Sequence, residues 1–236
     1  MIFNELLKKY DISEDQIVTN GDKVIITKMN WDYPHALEFQ YEVNNYVYEN
    51  PDKQIYILTS HPNVLTMGRG LQRDQVDKYQ LVKFDSSTEE NLPVSVYQVR
   101  RGGGMTFHHP GQIVVYPIVH IAHQKIKTIE LINYIFEVAK ESIESSCELK
   151  GLDYHRDLLG LWYENHKLAS MGIQLKKFVS LHGLALNVER DEVMSEVLKT
   201  IFPCGIDGNT YRSLNELTEI SKDELLKEIQ ARLLLL

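Results

Sequence analysis

The stretch VSVYQVRRGGGMTFHHPGQIVVYPIV, residues 94–119, contains two apolar runs on either side of a glycine-rich segment. Valine, isoleucine and tyrosine dominate both runs, which predicts strands over residues 94–99 and 112–119. Because Pro117 has no backbone N–H group, we expect the second strand to lie at a sheet edge or to end irregularly there. The consecutive glycines 102–104 let the backbone approach a ligand closely, with N–H groups free to point at it.

Helix and strand patterns alternate along the rest of the chain. Apolar and β-branched runs predict further strands, over residues 23–29, 54–59, 158–163, 167–175 and 183–188. Apolar residues at helical spacing predict helices over residues 3–10, 34–49, 128–147 and 191–199. The capping-box pattern of Ser221 and Glu224 predicts one more helix at the C-terminal end. The polar segment 71–92 is expected to be a surface excursion. Since no linker rich in Pro, Gly or Ser divides the chain, the pattern predicts one α/β or α+β domain with a central mixed sheet.

Composition and charge restrict the classes of binding partner and the cellular location of the protein. The chain has 236 residues, with 25 Lys and Arg against 33 Asp and Glu, for a formal net charge of −8. An acidic chain without a basic run argues against nucleic acid and against an anionic membrane surface as main partners. No apolar stretch approaches the roughly 18 residues that span a bilayer. The N-terminus has neither secretory nor transit character, so a cytoplasmic setting is expected.

The two cysteines form no CxxC pair, which argues against a zinc ribbon, a thioredoxin-like site and a disulfide-rich scaffold. Cys204 lies in the segment IFPCGID, where Pro203 and Gly205 predict a turn. A thiolate nucleophile needs such exposure together with a nearby positive charge or base. Spacing alone leaves open whether Cys204 is a nucleophile or a small buried side chain. Cys147, at the end of an amphipathic helix, is expected to be structural.

Lys167 begins the apolar segment KLASMGIQ. A lysine at the start of an apolar strand is usually an exposed terminus. A partly buried lysine, in contrast, has its ammonium form destabilised and can accept a proton or hold a thiolate. The segment LHGLALNV, residues 181–188, adds Gly183, which permits close approach. Leu184 and Ala185 could form the wall of an apolar slot, although the segment alone is typical of a core strand.

The glycine-rich segment matches neither nucleotide fingerprint, GxGxxG or GxxxxGK(S/T). It could be a flexible hairpin tip, but Thr106, His108 and Gln112 can add side-chain donors to a ligand site there. The side chains of the adjacent His108 and His109 diverge, and no HExxH spacing occurs, so no metal site is expected. No GxSxG is present either, which leaves a Ser/His/Asp triad unsupported.

The segments RGGGMTFHHPGQIVVYPI, KLASMGIQ, HGLALNV and PCGI follow in this order and together resemble the lipoyl/octanoyl transferase family. SHPNVLTMGRG, from Ser60, resembles the family's His-Pro…Thr-x-Gly-Arg segment, and GLWYENHKLAS resembles its Gly-Val-Trp stretch before the lysine. The resemblance covers about residues 24–217. It implies one α/β catalytic domain over residues 24–236, related to biotin and lipoate protein ligases, after an N-terminal extension of residues 1–23 without an assigned role.

The resemblance also implies roles for individual residues. Cys204 would be the nucleophile that becomes an octanoyl thioester, and Lys167 would lower its pKa and act as general base. The substrate site would be lined by Arg101, Gly102, Gly103, Gly104, Met105, Thr106, Phe107, His108, Ser170, Met171, Gly172, Gly183, Leu184 and Ala185. Two positions depart from the family pattern. His109 replaces a common glycine: a histidine is unfavourable there if the position needs a positive φ, and otherwise it would reshape the rim of the pocket. Phe107 stands where tyrosine is common.

The implied reaction is octanoyl transfer in lipoate biosynthesis. The donor would be octanoyl-acyl carrier protein, and the acceptors would be lysines on lipoyl domains of 2-oxoacid dehydrogenase complexes and on the glycine cleavage H protein. Because one thioester is exchanged for another, neither ATP nor a metal is expected. Two alternatives stay open: an ATP-dependent lipoate or biotin protein ligase, and a non-catalytic protein that binds lipoyl domains. A ligase needs no cysteine nucleophile, so the PCG segment favours transfer.

The acidic net charge leads to one more expectation. Carrier proteins and lipoyl domains are typically acidic, so they should be repelled by a chain of formal net charge −8. We therefore expect a local basic rim near the site. The candidates are Arg69, Arg73, Arg100 and Arg101.

Overall fold

The computed structural model describes residues 3–71, 92–155, 159–201 and 208–235. Eleven strands occur in these ranges: β1 Ile17–Asn20, β2 Lys23–Lys28, β3 Gln54–Thr59, β4 Val64–Met67, β5 Ser95–Gln98, β6 Met105–His108, β7 Gln112–Val119, β8 Asp153–His155, β9 Gly160–Tyr163, β10 His166–Lys176 and β11 Val179–Asn187. The α-helices in the same ranges are α1 Phe3–Lys9, α2 Tyr33–Glu49, α3 Thr128–Ser146, α4 Glu192–Ile201 and α5 Lys222–Leu235. Most of the expected surface excursion, residues 72–91, lies outside the described residues.

Eight strands form the main sheet, in the order β1-β2-β3-β7-β11-β10-β9-β8. Strands β2 and β3 run parallel, whereas the other neighbours in this sheet pair antiparallel. The predicted mixed α/β sheet of a single domain is therefore confirmed. Every residue of β7 is buried, because this strand lies at the centre of the sheet with helices on both faces.

Side chains that alternate along the central strands build two hydrophobic clusters, one on each face of the sheet. On one face, Ile26, Ile57 and Val114 pack with residues of α1 and α2. On the other face, their neighbours Ile25, Leu58 and Val115 pack with residues of α3 and α5. Within the described ranges, no helix combines the length and the hydropathy needed to cross a bilayer.

Residues 3–23 pack onto the same sheet. Leu6, Leu7 and Tyr10 are buried in the cluster on the α2 face. Strand β1 pairs with β2, at the point where the family resemblance begins. These residues thus extend the sheet, and the boundary at residue 24 stays a prediction.

A second sheet of three strands, in the order β5-β4-β6, was not expected from the sequence apart from β5. Strands β4 and β6 have only four residues each, too few to show a period, and neither was predicted as a strand. Met67, Phe107 and Leu198 belong to a hydrophobic cluster that joins this sheet to α4. The sheet therefore gives the glycine-rich segment a rigid support.

The prediction of an edge strand at Pro117 is wrong, since β7 lies between β3 and β11. The ladder between β7 and β11 nevertheless ends at the pair Val115–Leu184, two residues before the proline. From there the Ser180 hydroxyl replaces the missing ladder: it donates to the Pro117 carbonyl at 2.6 Å and accepts from the Val119 N–H at 3.0 Å. The irregular end that we expected is thus present, but it is compensated inside the sheet.

Candidate active site

The glycine-rich segment is held on two sides by backbone hydrogen bonds. Three of them join residues 68–70 to residues 101–104, at N···O distances of 2.9 to 3.0 Å. On the other side, the Gly102 N–H donates to the Ile173 carbonyl of β10 at 3.0 Å. The segment is therefore anchored between the two sheets and is not a free hairpin tip.

Glycines make this close contact between backbones possible. A Cβ on Gly68 would lie 2.4 Å from the Gly103 carbonyl oxygen, and one on Gly172 would lie 2.6 Å from the Gly102 carbonyl oxygen. Gly103 itself has a φ of +75°, in the left-handed region that favours glycine. The close backbone approach that we predicted for the glycine-rich segment therefore occurs between segments of the protein's own chain.

Arg101 is buried, with a relative exposure of 6%. Its guanidinium donates to the carbonyls of Gly102, Gly104 and Thr66 at 2.9 to 3.0 Å, and to the hydroxyls of Thr66 and Thr106 at 2.8 and 2.9 Å. These hydrogen bonds from the planar guanidinium connect the glycine-rich segment to β4 and β6. The prediction that Arg101 belongs to an exposed basic rim is therefore wrong, because its charge is turned inward.

Two adjoining pockets lie on the α2 face of the main sheet, beneath this loop. The first has a cavity volume of only about 10 Å³ and is lined by Tyr33, Arg101, Thr106, His108, Val114, Tyr116, Ser170, Gly172, His182, Gly183, Leu184 and Ala185. The second, also of about 10 Å³, shares Thr106, Ser170 and Ala185 with it and continues to Met194, Leu198 and Tyr211. We call the two pockets together the β10–β11 channel.

The structure brings most of the predicted substrate residues to this channel. Ten of them line it: Arg101, Met105, Thr106, Phe107, His108, Ser170, Gly172, Gly183, Leu184 and Ala185. Gly102 and Gly103 face an open groove on the outer side of the loop, and the Gly104 carbonyl accepts from Arg101. Met171 and Leu184 differ from the rest, because they pair across β10 and β11 and both side chains pack in the cluster on the opposite face of the sheet. Cys204 and Arg73 lie outside the described residues.

A β-bulge directs Lys167 toward the channel. Lys167 pairs with Trp162 of β9, but Ala169 pairs with the adjacent Leu161, so two residues of β10 oppose one of β9. In a regular strand Lys167 would share a face with Ala169. The bulge reverses this alternation and places Lys167 on the face of Ser170. Bulges of this kind are over-represented next to active sites.

The side chain of Lys167 is enclosed, with a relative exposure of only 2%. Its Nζ lies 5.8 Å from the centroid of the Trp162 ring and 5.7 Å from that of Tyr211. A Cβ on Gly160 would lie 2.5 Å from the Lys167 Cε, so only glycine leaves room for the side chain there. The expectation of an exposed strand terminus therefore does not hold, and the interpretation as a buried lysine does.

A buried polar network, of which the sequence indicated only His108 and Gln112, closes the channel on the α2 side. The ring nitrogens of His61 lie 2.7 Å from the Trp31 carbonyl and 2.8 Å from the Tyr116 hydroxyl. Tyr33 stacks on His108 with ring centroids 5.7 Å apart. Burial lowers the pKa of His61 to about 4 and lowers that of His108 well below its usual value. Both imidazoles are therefore neutral near pH 7.

A second part of the network fixes the ring of His108. The Gln112 amide donates to the Phe107 carbonyl at 2.9 Å and to Asn187 Oδ1 at 2.8 Å, and its oxygen lies 3.2 Å from His108 Nδ1. Gln112 and Asn187 were both inside quoted motifs. Tyr33, in contrast, carried no local signal, since it reaches the channel from the start of α2.

His109 fits its position without backbone strain. Positive φ values occur at several non-glycine residues of the described chain, but His109 is not among them. The ring is fully buried and its Nδ1 accepts from the Gly111 N–H at 3.2 Å. Burial lowers the pKa of His109 to about 4, so the ring is neutral. The concern that this position needs a glycine is therefore removed.

An open groove of about 560 Å³ lies outside the loop, next to Arg69 and Arg100. Both arginines are exposed, and the exposed Leu175 of β10 forms part of the groove. The expected basic rim is thus represented by these two arginines.

Residues 32–234 match the sequence model of a family described as "Lipoyl protein ligase A/B catalytic domain". The chain belongs to this family. Within it, the chain is 33% identical over 202 residues to an octanoyltransferase of Synechococcus elongatus, covering 85% of this chain and 79% of the relative. It is 30% identical over 219 residues to an octanoyltransferase of Bdellovibrio bacteriovorus, covering 86% and 93%. The predicted lipoyl/octanoyl transferase family is therefore confirmed, and this family member is an acyltransferase.

Solved structures of lipoate and biotin protein ligases share the fold. Superposition on an ATP-bound lipoate-protein ligase A gives a TM-score of 0.61 at 13% identity, covering 91% of this chain and 84% of that chain. LipL1 of P. falciparum, solved with lipoate, gives 0.65 at 12% identity over 89% and 61%. A biotin protein ligase of Leishmania major gives 0.53 at 9% identity over 92% and 74%. The predicted relation to the biotin and lipoate ligase fold is confirmed.

Proposed function

We propose that this acyltransferase moves an octanoyl group from octanoyl-acyl carrier protein to a lysine of a lipoyl domain, in lipoate biosynthesis. The observation that carries the proposal is the placement of Lys167, which a bulge turns into an enclosed position beside the β10–β11 channel. A lysine held there serves proton transfer at the mouth of an acyl site. Relatives named octanoyltransferase supply the identity of the group transferred.

The reaction consists of two acyl transfers. The Cys204 thiol gives its proton to the Lys167 amine, and the thiolate attacks the thioester carbon of the donor. The carrier leaves as a thiol, with the proton returned by Lys167, and an octanoyl thioester stays on Cys204. The amine of the target lysine then attacks this thioester and loses a proton to Lys167. An amide forms and the Cys204 thiol is regenerated. No ATP and no metal take part.

We place the hydrocarbon chain at the β10–β11 channel. Ser170, Gly172, Gly183 and Ala185, which have small side chains, line this part of the channel. Each CH₂ group that leaves water there contributes about 0.8 kcal/mol of binding free energy. Binding of the chain therefore favours the donor thioester over shorter acyl groups.

The exposed arginines next to the loop support an acidic partner. Arg69 and Arg100 lie at the groove that adjoins the channel through Arg101. Their charge opposes the repulsion expected between the acidic chain and an acidic carrier protein or lipoyl domain. The acceptors proposed are the lipoyl domains of 2-oxoacid dehydrogenase complexes and the glycine cleavage H protein, in the cytoplasm.

The test is formation of an acyl-enzyme without ATP. We expect octanoyl-acyl carrier protein alone to leave one octanoyl group on the protein, measured by mass spectrometry. Cys204→Ala should abolish the adduct. Cys147→Ala is the matched control, since that thiol lies at the end of α3, where it donates to the Ile143 carbonyl, and this variant should retain the adduct.

Two results would contradict the proposal. An adduct that persists in Cys204→Ala would remove this cysteine from the reaction. A requirement for ATP, with free octanoate or lipoate as the acyl source, would instead assign the chain to the ligase reaction. Binding of a lipoyl domain without any transfer would support the non-catalytic alternative.

A further inference from the structure

A cavity of about 270 Å³ lies on the α3 face of the main sheet, between three neighbouring strands and the start of α3. We call it the β3–α3 cavity. The strands contribute Lys23, Gln54, Tyr56 and Val119, and the segment that leads into α3 and its first turns contribute Gln124, Ile126, Glu130, Leu131 and Tyr134. None of these side chains takes part in the proposed acyl transfer.

The β3–α3 cavity is remote from the β10–β11 channel. Thr59 at the end of β3 pairs with Val114, which in turn pairs with Ala185 of the channel. Gln54 lies five residues before Thr59 on the same strand, which is about 16 Å at ~3.3 Å per residue. Because the channel also lies on the α2 face, the sheet separates the two sites.

One part of the cavity is apolar. Tyr56, Val119 and Leu131 belong to the hydrophobic cluster on the α3 face, and Ile126 and Tyr134 pack against that cluster. The rings of Tyr56 and Tyr134 lie with their centroids 6.5 Å apart. Apolar and aromatic walls with a few polar groups are typical of sites for small molecules, so this part suits the apolar body of a ligand.

The other part of the cavity presents an unpaired cation. Lys23 is half-buried, and among the described residues its Nζ forms no ion pair and no hydrogen bond. Partial burial lowers the pKa of Lys23, since the ammonium loses some of its hydration there. A cation that is poorly hydrated and unpaired is stabilised by an anionic partner.

Gln54 adds a neutral donor beside this cation. It is the direct partner of Lys23 in the parallel pair of β2 and β3, so both side chains lie on the same face. The Tyr56 hydroxyl donates to Gln54 Oε1 at 3.1 Å, which fixes the orientation of the amide. The amide nitrogen donates to Gln124 Oε1 at 3.4 Å, and its second N–H has no partner among the described residues.

Glu130 is the acidic residue of the lining, and its charge is used elsewhere. The side chain is exposed, and its Oε2 accepts from the Lys127 N–H at 2.7 Å, at the N-terminus of α3. It forms no ion pair with Lys23. The cation of the cavity is therefore left for a ligand.

We propose that the β3–α3 cavity is a second ligand site, which binds a small carboxylate with an apolar body. The carboxylate lies at Lys23 and Gln54, and the body lies against the rings of Tyr56 and Tyr134. The volume agrees with this class of ligand, since an apolar cavity of about 150 Å³ takes up benzene and about 270 Å³ leaves room for an acidic arm as well.

The test compares phenylacetate with phenylacetamide, which has the same shape and no charge. We expect calorimetry on the full chain to give phenylacetate a Kd of about 1 mM or below and to give the amide a Kd about tenfold higher. In Lys23→Gln the affinity for phenylacetate should fall about tenfold, and the preference for the acid over the amide should disappear. A merely structural role of Lys23 would weaken both probes equally.

Lys53→Gln is the matched control. Lys53 directly precedes Gln54, but its Nζ pairs with Asp22 Oδ1 at 2.7 Å, so the variant removes a nearby charge that is already paired. It should bind phenylacetate as the wild type does. Ile126→Trp extends a larger side chain into the cavity and should abolish binding of both probes, with the fold checked by circular dichroism. Lys167→Ala should bind phenylacetate normally, because its amine lies at the channel.

Four results would overturn the inference. The first is the absence of saturable phenylacetate binding at about 10 mM, well above the expected Kd. The second is equal affinity for the acid and the amide in the wild type. The third is an equal loss of affinity in Lys23→Gln and Lys53→Gln, which would indicate a general effect of charge. The fourth is loss of binding in Lys167→Ala, which would place the probe in the channel.

Discussion

The amine of Lys167 lies between the rings of Trp162 and Tyr211, and hardly any of this side chain is exposed. Its position depends on neighbours that contribute no chemistry themselves. Gly160 leaves the space for its Cε, and Leu168 takes its place in the core on the opposite face. At the scale of single residues, the geometry of the site thus depends on where the flexible side chain of Lys167 is held.

Removal of the Lys167 amine should lower transfer without unfolding the protein. Lys167→Ala is expected to reduce the rate of octanoyl transfer about 10²- to 10⁴-fold, the usual contribution of a positioned proton-transfer group. Single-turnover transfer from octanoyl-acyl carrier protein measures the rate, and circular dichroism checks the fold.

Lys176→Ala is the matched control for this prediction. Lys176 lies on the same strand and its Nζ is 4.8 Å from the ring centroid of Tyr41, so it has a similar cation–aromatic contact away from the channel. Full activity of Lys167→Ala, or an equal loss in both variants, would show that Lys167 takes no specific part in the reaction.

At the scale of elements, the hairpin of β10 and β11 is the scaffold of the site. Its outer strand carries the bulge at Lys167, and its inner strand carries His182 and Gly183. A Cβ on Gly183 would lie 2.0 Å from the Val115 carbonyl oxygen and 2.8 Å from Pro117 Cδ. Contact between β11 and the proline-containing part of β7 therefore depends on the absence of a side chain at this position.

Gly183→Ala should destabilise the protein strongly. We expect a loss of about 3 kcal/mol in the free energy of unfolding, because backbone atoms of β7 must move to relieve the clash. Chemical denaturation measures it. Gly102→Ala is the matched stability control, since a Cβ there would lie 3.6 Å from its nearest neighbour, the Ile173 carbonyl oxygen, in ordinary contact. Equal stability of the two variants would contradict the close packing of β11 on β7.

At the scale of the whole molecule, the large sheet buries an unusual set of neutral histidines next to the channel. Burial lowers the pKa of His61 and His109 to about 4 and that of His182 to about 3, and it lowers the pKa of His108 well below its usual value. In the unfolded chain the same side chains titrate near 6.5. Between these values the unfolded state binds more protons than the folded state, so the folded state loses stability as the pH falls.

The free energy of unfolding should therefore decrease between about pH 6.5 and pH 4. Each of the buried histidines contributes up to ~1.4 kcal/mol per pH unit in this window. Urea denaturation at several pH values measures the slope. His109→Gly should reduce the slope by about one proton. A stability that is flat down to pH 4 would show that these rings are protonated in the folded protein.

The sequence by itself determined the order of most helices and strands, the mixed sheet and the family. These features follow from local information, since periodicity, β-branched runs and motifs such as RGGGMTFHHPGQ are contained within short segments. Lys167 and most residues around the channel were also predicted, through the motifs that carry the resemblance. Their roles depend on contacts that those motifs do not specify.

Only the tertiary structure decided how those segments meet. The central position of β7 despite Pro117, the inward charge of Arg101, the bulge at Lys167 and the left-handed conformation of His182 all depend on partners far away in the chain. Local periodicity carries no information about such pairing, because register and burial are set by the neighbouring strands. The motifs therefore identify the reacting groups, and the packing of two sheets and a bulged hairpin determines the direction in which those groups point.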